Sequence, residues 1–177
     1  MTRPPKSLFA AAVLTTALCL AAATSKADTP MQGDPNAGFA AFFGTWTCVA
    51  NVSAMGPNMP AHTETDTMTF DSALGGAWVH QHYTGKVYTS DSYFRYDKAA
   101  SSWTSIAVDN MGGHGMSTSS GMNGNTMVFE GPYTYGGKTS TSRDTVTVMD
   151  KNKLRHVGSY KDGDTWKQTD DTVCTKS

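Results

Sequence analysis

Two histidines, two residues apart, offer the most specific chemistry in the sequence. His80 and His82 follow Trp78 in a run typical of a β-strand, so the three side chains leave the same face. Two imidazoles at this spacing can supply two ligands to a metal ion. The alternative is a polar strand face on which both histidines hydrogen-bond to neighbouring side chains.

Methionine and histidine also occur together in a second segment. Met111, His114 and Met116 lie within six residues, and residues 55–62 have a similar Met and His content. Thioether and imidazole ligands suit Cu(I), a soft ion, so copper is the alternative cofactor that the sequence predicts. Otherwise these methionines fill gaps in a core that has almost no leucine, or line a pliable binding mouth.

A third set of residues is charged. Asp109, Glu130, Arg143 and His156 each fall within a predicted strand. If these side chains point inward they form a polar patch, in which an Arg–carboxylate pair is expected because unpaired buried charge is costly. Such a patch either orients a carboxylate or hydroxyl of a ligand or acts as a structural network that closes the barrel.

The sequence contains no catalytic signature. It has no Gly-x-Ser-x-Gly motif, and the run at residues 112–115 lacks the lysine and the helix of a phosphate-binding loop. Serine and threonine are abundant because strands and turns use them. We therefore predict that the protein is not an enzyme and assign no catalytic residues.

The N-terminus has the pattern of an export signal. Arg3 and Lys6 precede an uncharged apolar run at residues 8–23, and Ser25-Lys26-Ala27 offers small residues at a cleavage site. The apolar run is shorter than a typical membrane span, so no membrane anchor is expected after cleavage. The prediction is a cleaved signal at residues 1–27 and a periplasmic or secreted protein.

The mature chain has the size of one domain and is acidic. Cleavage of residues 1–27 leaves a flexible lead at 28–33 and a domain at 34–177. It also leaves 11 Lys and Arg against 15 Asp and Glu, a net charge of −4. Because nothing basic remains to follow a phosphate backbone, nucleic acid is not expected as a partner.

Two cysteines, Cys48 and Cys174, remain in the mature chain. An even count in an exported protein favours a disulfide. Since Cys48 falls in the first predicted strand and Cys174 in the last, the bridge predicts that these strands are neighbours. Trp46 shares the face of Cys48, and Trp166 would share the face of Cys174 if the last strand contains no bulge.

The apolar composition favours β structure over long helices. Leu74, Leu154 and Ile106 are the only leucines and isoleucine after the signal, so valine, methionine and aromatic residues must build the core. Turn signals recur every 8–12 residues. The predicted strands span residues 44–53, 62–71, 76–84, 87–97, 102–110, 114–120, 125–133, 138–149, 153–161 and 164–175.

A short helix is predicted before the first strand. Asp34 is a good N-cap, Pro35 suits the first helical position, and Phe39, Phe42 and Phe43 share one face. Such a helix should lie against one end of the sheet. With two-residue hairpin turns and no room for crossover helices, the fold class is an all-β, up-and-down antiparallel barrel of about ten strands.

Three ordered segments carry a resemblance to a known family. These are the apolar helix leading into Gly44-Thr45-Trp46, the turn at residues 74–78 leading to Tyr83-Thr84-Gly85, and residues 96–112 together with Arg143-Asp144. In this set the chain resembles bacterial lipocalin-like domains of unknown function in the calycin superfamily. The resemblance implies a barrel with an internal cavity, and it implies no established activity.

The expected function is therefore binding of a small, partly apolar molecule in the lumen. Aromatic side chains on the strands would line the lumen and Arg143 would hold a polar end of the ligand. The alternative is a barrel packed solid by the same aromatic residues. The residues proposed to contact the ligand are Trp78, His80, His82, Tyr96, Trp103, Asp109 and Arg143.

Overall fold

A computed structural model describes residues 36–56 and 59–177. The predicted signal at 1–27 and lead at 28–33 lie outside the described residues. The described part of the chain is all-β. It contains no helix that is long and apolar enough to cross a membrane.

Eleven strands, β1 to β11, account for most of the described chain. Their turns occur between the predicted strands, and the ten long strands begin and end within two residues of the predicted bounds. The strands are Gly44–Val52, His62–Ala73, Trp78–Thr84, Thr89–Asp97, Ser102–Asp109, His114–Ser119, Met122–Asn123, Thr126–Tyr135, Lys138–Asp150, Lys153–Asp162 and Thr165–Lys176.

The sheet closes on itself. Consecutive strands pair antiparallel except β6 and β7, β1 pairs with both β2 and β11, and β6 pairs with β8. The two-residue β7 pairs with β8 and is not one of the ten strands that form the barrel wall. The predicted closed antiparallel barrel of ten strands is confirmed, and closure leaves no long edge strand unpaired.

The predicted short N-terminal helix is not shown by the described residues beyond a single 3₁₀ turn. Asp34 and Pro35, its proposed cap, lie outside them, and Ala37–Phe39 forms a 3₁₀ turn. The backbone amides of Phe39 and Phe42 donate to carbonyls three residues earlier, at 2.8 and 2.9 Å. This tighter winding brings both phenylalanine rings into the barrel within a few residues.

Aromatic side chains fill the end of the barrel at which this turn lies, which we call the plugged end. Phe39 lies 4.8 Å from the rings of both Phe94 and Trp103, and the Trp46 indole N–H donates to the Phe42 carbonyl at 2.7 Å. These aromatic residues pack with the other buried apolar side chains into one core. The buried members are Phe39, Phe42, Trp46, Cys48, Met68, Phe70, Val79, Phe94, Trp103, Met127, Phe129, Leu154 and Cys174.

The disulfide predicted between Cys48 and Cys174 is present. The two residues are directly opposite each other on β1 and β11, and both point into the core. The bridge joins positions 126 residues apart. It therefore links the first strand to the last at the closure of the barrel.

Trp166 does not share the inner face of Cys174. The pairing of β10 with β11 changes register between Gly158 and Ser159, and the bulge reverses the faces of the residues before Asp170. Trp166 consequently lies on the outer face, where the Arg143 guanidinium stacks 3.8 Å from its ring centre.

Reduction of this disulfide should lower the free energy of unfolding by about 4–5 kcal/mol, because the bridge closes a loop of 126 residues in the unfolded chain. Urea denaturation of the oxidised and reduced protein measures the difference, and thiol labelling of the oxidised, denatured protein checks that the bridge is complete.

The double variant Cys48→Ala, Cys174→Ala is the control, and its stability should not respond to reductant. Equal urea midpoints for the oxidised and reduced wild-type protein would contradict the prediction.

Candidate functional site

The inner face of the barrel away from the plugged end is polar. The polar residues of this part of each strand point to the same inner face as the core residues, and they alternate with residues that point outward. We call the space that they surround the chamber. Its principal side chains are Glu64, Asp66, Tyr83, Asp109, Tyr133, Asp144, His156 and Asp170.

The chamber is not packed solid. The side chains of Asp144, His156 and Asp170 point inward, yet they retain 46, 30 and 23% of their full exposure. Solvent therefore reaches these side chains, which lie toward the end of the barrel opposite the plugged end.

His156 is held between two carboxylates. Its Nδ1 lies 3.0 Å from Asp170 Oδ2 and its Nε2 lies 3.1 Å from Asp144 Oδ1. Gly158 on β10 is directly opposite Asp170 on β11 and Asp144 on β9. A Cβ at this position would overlap the Asp170 carboxylate. The glycine therefore leaves the room in which Asp170 reaches the imidazole.

This arrangement favours the charged forms of His156 and Asp170. Burial alone would lower the pKa of His156, but the charge of Asp170 and hydrogen bonds to both aspartates outweigh it and hold that pKa well above 6.5. Burial likewise would raise the pKa of Asp170, but the His156 imidazolium holds it below its usual range. His156 and Asp170 therefore form an ion pair on the inner wall.

Asp66 carries an unpartnered oxygen in the same inner wall. The carboxylate is 3% exposed, Tyr83 donates its hydroxyl to Oδ2, and Oδ1 has no hydrogen-bond partner among the described residues. Burial raises the pKa of Asp66, and the Tyr83 hydrogen bond opposes this rise. A buried carboxylate oxygen without a donor costs free energy, but protein atoms cover this one, so a bound molecule can contact it only if the Asp66 side chain turns toward the chamber.

Asp109, by contrast, is fully engaged in the wall. Its Oδ1 accepts the backbone amides of Met111 and Gly113 at 2.8 and 2.7 Å, and its Oδ2 accepts the Tyr133 hydroxyl. Burial, followed by this hydrogen bond, raises the pKa of Tyr133. Asp109 therefore faces the chamber as predicted, but its hydrogen bonds fix the turn between β5 and β6.

Four of the residues predicted to contact a lumenal ligand lie on the outer face. Trp78, His80 and His82 alternate with the buried Val79 and point away from it, and Trp78 borders shallow outer depressions. Arg143 also points outward and donates to Glu130 Oε2 at 2.9 and 3.0 Å. The expectation that these four line the lumen is wrong, because polar and aromatic residues occupy both faces of these strands.

Tyr96 and Trp103 do face inward, as predicted, but at the plugged end. They are directly opposite each other on β4 and β5, with ring centres 5.4 Å apart. Trp103 is buried in the aromatic core and Tyr96 packs against it. Both residues therefore fill the barrel, and neither lies in the chamber.

The Met and His residues of the copper alternative do not lie in the chamber either. Met111 lies in the turn after β5, and His114 and Met116 are on the outer face of β6 with exposed side chains. His62, from the other Met and His segment, lies on the inner face of β2. The two segments thus present their histidines on opposite sides of the wall.

Sequence reasoning missed Asp66, Asp144 and Asp170 as site residues. The spacing from Cys174 could have indicated the face of Asp170. Cys174 points inward, and Asp170 precedes it by an even number of residues, so both side chains lie on the same face of β11. Asp66 likewise precedes the inward Met68 and Phe70 by even steps.

His156 should make the unfolding free energy depend on pH. Its pKa is raised in the folded state, so its stabilising contribution is complete below pH 6.5 and is lost as the pH rises through the folded value. The stability difference between wild type and His156→Gln, measured by urea denaturation, should therefore shrink as the pH rises above 6.5.

His114→Gln is the matched control, since it removes an exposed histidine on the outer face and should follow the wild-type profile. A constant difference between wild type and His156→Gln across this range would show that the imidazole is not held as a cation.

One protein family accounts for nearly all of the described chain. No curated protein matches the sequence. A family model described as "Protein of unknown function (DUF1579)" matches residues 32–176, which include every strand of the barrel. The chain therefore belongs to the DUF1579 family.

Proposed function

We propose that the protein is an exported, non-catalytic barrel of the lipocalin-like type, and that its chamber binds a small, partly apolar cation. The observation that carries this proposal is the unpartnered, buried Oδ1 of Asp66 beside an open, acidic inner wall. A hydrogen-bond donor on a ligand would satisfy this oxygen.

The charge of the chamber favours a cation over an anion. Glu64, Asp66, Asp109, Asp144 and Asp170 present carboxylates on the inner face, and His156 presents one imidazolium. Lys167, at the rim, is exposed and paired with Asp162. A positively charged group entering this space gains attraction from several carboxylates, whereas a carboxylate ligand is repelled.

We expect the ligand to have an apolar part because apolar core residues border the chamber on the side of the plugged end. Met68 and Phe129 belong to the core that closes the barrel, and Asp144 lies directly opposite Phe129 on the next strand. A short apolar group can pack on Met68 and Phe129 while an ammonium group reaches the carboxylates. Arg143 is not expected to hold an anionic head group in the chamber, because its side chain points outward.

The proposed location rests on the disulfide and on the N-terminal sequence. A bridge between Cys48 and Cys174 persists in oxidising compartments such as the periplasm or the exterior of the cell.

Asp66→Asn should weaken binding of small alkylammonium ions roughly tenfold or more, since a charged hydrogen bond contributes about 1.5–3 kcal/mol. The assay is displacement of a fluorescent primary amine from the chamber by unlabelled alkylamines. The same variant should unfold at an equal or higher urea concentration, because it removes a buried charge that has an unpaired oxygen.

Glu130→Gln is the matched control, because it removes one carboxylate on the outer face and should leave the affinity unchanged. Alkyl carboxylates of equal length should not displace the probe. Absence of amine binding by the wild-type protein, or equal binding by Asp66→Asn, would refute the proposal.

A further inference from the structure

The outer face of β3 and β4 carries a cluster of side chains that is separate from the chamber. His82 is directly opposite Asp91 in the pairing of these strands, and His80 lies one inter-strand step away on the same face. His80 Nε2 and His82 Nδ1 lie 2.7 and 2.8 Å from the same oxygen, Asp91 Oδ1. Two imidazole nitrogens therefore converge on one carboxylate oxygen.

From this convergence we propose that His80, His82 and Asp91 bind a divalent transition-metal ion on the outer wall of the barrel. Their three ligand atoms lie within 4.8 Å of one another. Within residues 36–56 and 59–177, no other three histidine, cysteine or acidic side chains bring their ligand atoms this close together. Ligands around a zinc ion are about 3.0–3.4 Å apart, so small rotations of the side chains open room for the metal.

The other nitrogen of each imidazole is already held. His80 Nδ1 lies 3.1 Å from Asp71 Oδ1, and His82 Nε2 lies 2.9 Å from Thr84 Oγ1. Histidines that ligate metals commonly donate their second N–H to a carboxylate or another oxygen, which fixes the ring and its tautomer. These contacts leave His80 Nε2 and His82 Nδ1 as the metal-binding atoms.

The ring of Tyr93 further fixes the site. It stacks on His80 with ring centres 4.8 Å apart and an angle of 22° between the planes. The three ligand side chains remain partly exposed. An ion can therefore enter from solvent and retain water at its remaining coordination positions.

The donor set selects the class of metal. Two imidazoles and a carboxylate suit borderline divalent ions such as Zn²⁺, Ni²⁺ and Cu²⁺, and among these Cu²⁺ is expected to bind most tightly. This differs from the Cu(I) site suggested by Met111, His114 and Met116, which would use thioether sulfur. The outer-wall site is independent of the proposed function, since its ligands and the chamber residues lie on opposite faces of the sheet.

The test uses the mature protein without a polyhistidine tag. Titration calorimetry with Zn²⁺ should show one ion per chain, and Co²⁺ should give visible absorption bands of an imidazole-bound ion. His80→Ala and His82→Ala should each abolish both signals. Asp71→Asn, which removes an orienting contact, should weaken Zn²⁺ binding about 10–100-fold.

His114→Ala is the control, because it removes an exposed histidine elsewhere on the outer face. This variant should bind Zn²⁺ as the wild type does. Nuclear magnetic resonance of the histidine ring nitrogens in the wild-type protein provides a readout that does not depend on variants, and Zn²⁺ should shift the signals of His80 and His82. Absence of Zn²⁺ binding, or ring shifts confined to other histidines, would overturn the proposal.

Discussion

The pairing of β1 with β11 determines the rest of the structure, because it converts a sheet into a closed wall with one inner face. The Cys48–Cys174 bridge lies at this closure and points into the core. Once the wall is closed, each inward side chain must either pack against others or border enclosed space. The distribution of side chains along the inner face thus decides where the barrel is solid and where it is open.

Packing and polarity divide the interior between the two ends. The 3₁₀ turn at Ala37–Phe39 supplies aromatic rings to the plugged end, where Trp46, Phe94 and Trp103 complete the core. The chamber instead contains tyrosine–carboxylate and imidazolium–carboxylate pairs, which satisfy most of the inward polar groups. Asp66 Oδ1 is the described exception, and a buried polar atom without a partner is a cost that binding of a ligand can offset.

Each strand of the wall contributes side chains to both the inner and the outer face of the barrel. On β3, Tyr83 points inward and donates to Asp66, while the adjacent His82 points outward toward Asp91. The chamber and the proposed metal site therefore share β3 but have no ligating side chain in common. Because strand alternation separates them, a substitution on one face can be tested without removing a ligand of the other.

The architecture could be predicted from the sequence, but the faces of the strands could not. Turn residues, β-branched residues and the cysteine pair define the strands and their closure. Trp78, His80, His82 and Arg143 lie on the outer face, contrary to the expectation, because hydrophobic and polar residues are mixed on both faces of these strands and their alternation does not mark the inner one. Trp166 lies on the outer face because β11 contains a bulge, and its inward placement depended on an unbulged strand.

The most direct test of the central claim, that the open half of the barrel binds small cations, is a titration of isotope-labelled protein with a short-chain alkylammonium ion. Amide chemical shifts report which residues respond. We expect the shifts to concentrate at Asp66, Asp144 and Asp170 on the inner wall of the chamber. Shifts confined to the outer face or to the plugged end, or no shifts at all, would contradict it.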